Sequence, residues 1–386
     1  MISSYYYKDN YKGKQSDEWE FEETALNNVN LIVGASGSGK TRYLNTIFNL
    51  SSFIARGQER GEPFRPGSWR LTVKTEEYEY IYEYDAVIIN GKNQIKKEVV
   101  KRKRMGSQNE LDVLIDRTPD NFIFCESPLP KLQLDKPGIT LLKEEEKISP
   151  LYETFSKVQI RKFNDEGLKD ALVYQNVTPE LLNLSKSNDG LLALWKSQSA
   201  LSAKLFLLKE KFPEQYNLIV GAFKQVFTSI KDCEVAILEN PPISIQVNGV
   251  VPVFLIREEK VGKTIPLPEL SSGMQKVLLI LADIITLPKG SIYIIDEYEN
   301  SLGINAIDFL PEFLAAHSTN IQFFVTTHHP YLINSMPMKT WRVFHRDGSK
   351  VFIKGGEEFE QKYGKSKQKA FVQLINDPFY SGDELQ

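Results

Sequence analysis

The 386-residue chain is short of the residues that build metal centres and disulfide frameworks. It has two cysteines, Cys125 and Cys233, far apart in the sequence. That is too few for a stapled fold or a cysteine-zinc cluster, and it suits free thiols in a reducing compartment. Its four histidines are His317, His328, His329 and His345. It also lacks long apolar runs: a segment such as Val277–Ala282 is far below the about 20 residues that a membrane-spanning helix needs. The stretch Asp17–Glu23 (DEWEFEE) is acidic where a targeting segment would be basic. A cytoplasmic protein without membrane contact is expected. Charge is nearly balanced, 47 basic against 50 acidic residues for a net −3. Nothing global drives the chain to nucleic acid or to an anionic membrane.

What is present is an ordinary globular mixture, 41% hydrophobic and 25% charged, long enough to bury a large core. The patterning suggests three stretches. Residues 1–149 hold a Tyr-rich opening strand, a strand–loop–helix at 30–48 and an alternating region at 69–104. In that region Tyr78, Tyr80, Tyr82 and Tyr84 share one strand face, and Asn90-Gly91 marks a hairpin. Residues 150–232 carry the helical period, and residues 233–386 return to strands, with Asn248-Gly249 as a second hairpin turn. In the last stretch helix 272–287, strand 291–295, helix 304–316 and strand 321–326 alternate, as in a parallel sheet with crossover helices. The acidic run Glu144–Glu146 reads as a solvated helix face.

Residues 34–41 read GASGSGKT, a full match to the phosphate-binding loop pattern, with a strand before it and a helix after it. Such a loop needs Gly34, Ala35, Ser36, Gly37, Ser38 and Gly39 to turn successive backbone N–H groups onto phosphate oxygens. Lys40 would reach the β- and γ-phosphates, and the Thr41 hydroxyl would hold Mg²⁺. Residues 291–297, SIYIIDE, end an apolar strand in two carboxylates. Asp296 suits the Mg²⁺ shell, and Glu297 suits the orientation of an attacking water.

Two further segments are weaker alone. LSSGMQK (270–276) precedes a helical run: Ser271 or Ser272 could simply cap the helix, or Ser271, Ser272 and Gly273 could bind an anion at its start. VTTHHPY (325–331) ends a strand in His328, which suits either a plain loop residue or a donor to a phosphate.

Taken in order, GASGSGKT, LSSGMQ, IYIIDEYENSLG and FFVTTHHP resemble the ABC-type ATPases of the SMC-like branch. That branch includes AAA-family ATPases of defence systems and the overcoming-lysogenization-defect family. The resemblance implies an α/β P-loop ATPase head of the ABC type with an antiparallel β insert and a short helical lobe. It implies ATP and Mg²⁺ as ligands, Asp296 as the Walker B aspartate, Glu297 as the catalytic glutamate and His328 as the switch histidine. It further implies that Ser271, Ser272 and Gly273 act in trans on the nucleotide of a second copy, in an ATP-sandwich homodimer or higher homo-oligomer. His329 stands where relatives usually carry a small polar residue, and Gly303 where they often carry histidine. Gln133 is the candidate for the glutamine of the Q-loop.

The basic run Lys96–Arg104 (KKEVVKRKR) fits either a DNA footprint or a charged edge strand that blocks edge pairing. None of the seventeen aspartates has another two positions on, as a Toprim nuclease would require, and 58 residues follow His328 (386 − 328). A separate effector protein, such as a nuclease, is therefore expected. The layout resembles ATPase subunits of antiphage systems of the PARIS and Septu type, and an SMC-like repair ATPase acting on DNA is the alternative.

Overall fold

A computed structural model describes residues 1–10, 18–56, 66–89, 92–107, 111–162, 172–239, 249–299, 302–364 and 370–381. In chain order the elements are β1 (Ile2–Asp9), β2 (Glu20–Ala25), β3 (Val29–Gly34), α1 (Lys40–Arg56), β4 (Gly67–Lys74), β5 (Tyr78–Ile89), β6 (Lys92–Arg104), β7 (Asp112–Arg117), β8 (Phe122–Phe124), β9 (Ser127–Pro128), α2 (Gly138–Leu141), α3 (Ser149–Ser156) and β10 (Val158–Lys162). Then follow α4 (Pro179–Leu182), α5 (Asn188–Lys196), α6 (Leu201–Lys211), α7 (Pro213–Val226), β11 (Ile230–Ile237), β12 (Pro252–Glu258), β13 (Thr264–Pro266), α8 (Ser272–Thr286), β14 (Ser291–Asp296), α9 (Ile304–His317), β15 (Ile321–Thr326), α10 (Pro330–Ser335), β16 (Trp341–Asp347) and β17 (Lys350–Gly355). Short helices close the described chain.

The chain forms two compact units. One comprises Met1–Ile160, Gly290–Asp296 and Ser318–Gln386, and the other Arg161–Lys289 and Glu297–His317. The fold class is α/β, as expected.

In the first unit one sheet runs β10-β14-β15-β3-β16-β17-β2-β1-β4-β5-β6-β7-β8-β9. Strands β14, β15, β3 and β16 are parallel neighbours, with Val325 beside Leu31 and Val343 beside Val33. Every residue of β3, β14 and β15 is buried, which is why these segments read as unbroken apolar runs and not as alternation. Helix α1 lays Tyr43, Leu44, Ile47 and Leu50 into the core, with Phe48 partly buried against it. From β1 onward the sheet is antiparallel through β4, β5, β6 and β7, so the β insert continues the sheet that holds β3, β14 and β15 and is not a separate one.

Alternation is clean on β5. Tyr80, Tyr82 and Tyr84 are buried, and Tyr78 is partly covered, with the Arg102 guanidinium 4.1 Å from its ring centre. The Asn90-Gly91 turn lies outside the described residues, but Ile89 pairs with Lys92 on either side of it. Asn248 also lies outside them, between the paired strands β11 and β12.

Three expectations are corrected. The basic run is not an edge strand: β6 pairs with β5 on one side and β7 on the other. It tolerates this because its charges split between faces. On one face Lys97 meets Glu83 and Lys103 meets Glu79, both at 2.7 Å, while on the other Tyr84 opposes Glu98. Glu144–Glu146 is exposed turn, not helix; the Glu145 N–H closes onto the Leu142 carbonyl. Strand β10 interrupts the helical run expected from residue 150.

Glu98 is fully buried. It accepts from the backbone N–H of Gly138 (2.6 Å) and Ile139 (3.2 Å) and from the Tyr82 hydroxyl (3.3 Å), with Arg117 at 3.7 Å. Arg117 in turn ties the carbonyls of Lys136 and Gln133. Burial raises the Glu98 carboxyl above its ordinary range against these bonds. A carboxyl raised on folding adds stability while protonated and loses it as pH climbs through the raised value. Wild-type stability relative to Glu98→Gln should therefore decline as pH rises from about 4.3, the unfolded carboxyl value. Urea melts of both proteins at several pH values measure this, and parallel pH curves would contradict it.

In the second unit α6, α7 and α8 pack with the small sheet β11-β12-β13. Asp283, on α8 and fully buried, accepts from Arg161 Nε (2.6 Å) and Nη2 (3.0 Å) and from Lys204 Nζ (3.1 Å). Two cations on one buried carboxylate satisfy it, whereas removing one partner of such a group typically costs several kcal/mol. Cys125 and Cys233 are free, half-buried thiols, and burial pushes Cys233 up to about 12.

Candidate functional site

The carboxyl ends of β3, β14 and β15 lie side by side in the first unit, with residues singled out from the sequence at or just beyond them. Open parallel sheets present ligand sites at such strand ends. After β3 the chain turns through Ala35–Gly39 into α1. Gly37 and Gly39 take the left-handed region, φ +80° and +95°, which turns backbone N–H groups inward. Gly34 is glycine for a different reason: a Cβ there would lie 2.6 Å from the Phe344 carbonyl oxygen on β16. At Gly39 a Cβ would meet the Trp19 ring at 2.6 Å, whereas at Gly37 it would meet nothing within 4 Å. Ala35, Ser36 and Gly37 are exposed, and Ser38 is buried.

Lys40 is buried at the head of α1, where its Nζ donates to the carbonyls of Gly34 (2.9 Å) and Ala35 (3.0 Å) and to Ser38 Oγ (3.5 Å). The ammonium is thus folded onto the loop that would take phosphate. Asp296 Oδ1, at the tip of β14, accepts from the Thr41 hydroxyl (3.2 Å) and from the Thr326 hydroxyl (2.7 Å) at the tip of β15. A hydroxyl and a carboxylate set together are the hard oxygen donors that Mg²⁺ prefers, so Thr41 and Asp296 fit that ion. Magnesium there would neutralise charge on the β- and γ-phosphates.

Glu297 follows Asp296 directly with φ +53°, a left-handed conformation that costs an L-residue about 1–2 kcal/mol. His328 is exposed just beyond β15. Its neighbour His329 starts α10, its N–H donating to Thr327 Oγ1 at 3.0 Å. Gln133 is exposed in a loop, with its carbonyl held by Arg117 at 2.6 Å.

The segment 270–276 belongs to the second unit. Ser271 is the N-cap of α8, its Oγ accepting from the Met274 N–H at 3.3 Å. Ser271 thus caps the helix, with Ser272 exposed and Gly273 half-buried at the helix start. Gln275 pins the preceding turn through the carbonyls of Leu267 and Pro268. Of the segment 299–303 (ENSLG), Asn300 and Ser301 lie outside the described residues.

Four residues were not anticipated from the sequence. Thr326 anchors Asp296, and threonine at a strand end is too common to signal this. Arg42 and Arg346 both lie against Trp19, at 4.4 and 4.3 Å from the ring centre, and Arg346 Nη1 donates to the Gly37 carbonyl at 3.2 Å. Lys276 is a buried lysine within an apolar helix face, and that mismatch is a usable signal.

Residues 149–334 match the family described as "AAA domain, putative AbiEii toxin, Type IV TA system". The stretch holds the 271–273 segment, Asp296, Glu297 and His328, and stops short of the phosphate loop. The similar solved structures include three SMC head domains. A structure titled as the SmcHead bound to the C-winged helix domain of ScpA has a TM-score of 0.47 and 14% identity, over 93% of this chain and 99% of that one. The SMC head domain from Thermotoga maritima gives 0.42 and 13%, over 92% and 98%. A Pyrococcus furiosus Smc head domain with an extended coiled coil, bound to the C-terminal domain of ScpA, gives 0.45 and 14%, over 94% and 98%. No curated protein matches the chain.

The two loop glycines should separate in stability. Gly37→Ala is expected to cost about 1 kcal/mol for its dihedral alone. Gly39→Ala, which also drives a methyl into Trp19, should cost roughly 2–3 kcal/mol. Urea denaturation without nucleotide measures both, and equal costs would contradict the contact.

Proposed function

We propose that the protein hydrolyses ATP with Mg²⁺ in an ATP-sandwich homodimer or higher homo-oligomer. The observation that carries this reading is the convergence of Lys40, Thr41 and Asp296 at adjacent strand ends, with Thr326 fixing the carboxylate. In this reading Lys40 and the loop amides Gly34–Thr41 bind the β- and γ-phosphates. Thr41 and Asp296 hold the metal. Glu297 orients the attacking water, and His328 contacts the γ-phosphate. Ser271, Ser272 and Gly273 act on the nucleotide of the partner copy, where free N–H groups at a helix start favour an anion.

The same reading places the ATPase as a sensor or scaffold of a prokaryotic antiphage defence system, with a separate effector protein. Its support is the motif order together with the matched family, whose description names a toxin and a type IV system. ATP would assemble the competent state, and hydrolysis would release it. An SMC-like ATPase acting on DNA is less favoured, because Glu83 and Glu79 on β5 neutralise Lys97 and Lys103 of the basic run.

Complementation tests the trans arrangement. Lys40→Ala and Ser272→Arg should each abolish steady-state turnover alone. Mixed in equal amounts they should regain activity, because one composite site per heterodimer then pairs an intact Lys40 with an intact Ser272. A mixture as inactive as its components would refute the sandwich.

A further inference from the structure

Lys276 sits in the second turn of α8, three residues beyond Gly273, and is 1% exposed. A lysine is rarely buried unless its ammonium has work to do there. Its Nζ donates to the carbonyl oxygens of Glu297 (3.1 Å) and Tyr298 (2.6 Å). Two successive carbonyls that face one donor require a sharp local bend, and Glu297 supplies it through its left-handed backbone. Burial draws the ammonium down to about 7, while Glu299 and Glu297 favour its charge. The cost of placing a cation here is met by main-chain dipoles at the residue that follows Asp296.

We infer that Lys276 is the positioning residue of Glu297: by gripping the carbonyls of Glu297 and Tyr298 it fixes the direction in which the Glu297 carboxylate leaves the backbone. The inference rests on the reading of Glu297 as the water-orienting group. It also gives the 271–273 segment a route to the chemistry. That segment and Lys276 share one helix, so a shift of the helix start when it takes a partner's phosphate moves the ammonium, and with it the peptides that aim Glu297. Lys276 acts through the backbone of Glu297 and Tyr298. Its effect falls on turnover and not on ATP affinity.

A double-mutant cycle on the full-length protein tests this, by ATP turnover of wild type, Lys276→Met, Glu297→Gln and the double variant, with single-turnover assays for the slow members. Lys276→Met should lower kcat about tenfold or more and leave KM for ATP within about twofold. In the Glu297→Gln background the same change should cost less than about twofold, since no carboxylate remains to be aimed. Equal fold-losses in both backgrounds would overturn the inference and assign Lys276 to packing alone. Undiminished turnover of Glu297→Gln by itself would instead remove the reading of Glu297, an outcome separate from any Lys276 result. If Lys276→Met does not fold, Lys276→Arg carries the same cycle: it keeps the charge but replaces a point donor with a planar fork. It should lower kcat in the wild-type background only.

Discussion

One carboxylate oxygen holds the candidate site together. Asp296 Oδ1 accepts from Thr41 at the head of α1 and from Thr326 at the end of β15, while its own backbone ends β14. Three elements that meet only in the folded sheet are thereby fixed at one point. Hydrogen bonds to an ionised acceptor are about twice as strong as neutral ones. The buried parallel strands β3, β14 and β15 make that point possible, because they leave their chemistry nowhere to go but the strand ends.

That part of the molecule was legible in the sequence. A glycine-rich loop between an apolar strand and an amphipathic helix admits few geometries, and an apolar run closing on Asp296-Glu297 marks a buried strand with its acids at the tip. The hairpin arms on either side of Asn90-Gly91 were legible for the same local reason. Features set by distant pairing were not. The basic strand β6 looked like an edge because charged interiors are rare, yet Glu79 and Glu83 on β5 form ion pairs with its lysines. Glu98 gave no sign of being buried, since its partners Gly138, Ile139 and Arg117 are remote in sequence. Glu144–Glu146 had a helical composition, but the short α2 ends at Leu141 and α3 starts only at Ser149.

Buried charge recurs with a common logic. Asp283 is shared by Arg161 and Lys204, Glu98 by two backbone N–H groups, Tyr82 and Arg117, and Lys276 by two carbonyls. Each group is paired and hydrogen-bonded, as buried charges must be. The first two secure elements of their own unit. Lys276 differs in what it holds, namely the backbone of the residue that the account makes catalytic.

The most direct measurement of the central claim is the solution mass of Glu297→Gln by light scattering, with and without Mg-ATP. Adding Mg-ATP should shift the mass from monomer to dimer or a higher species, and Lys40→Ala should abolish that shift. A mass unchanged by nucleotide would contradict the ATP-sandwich assembly.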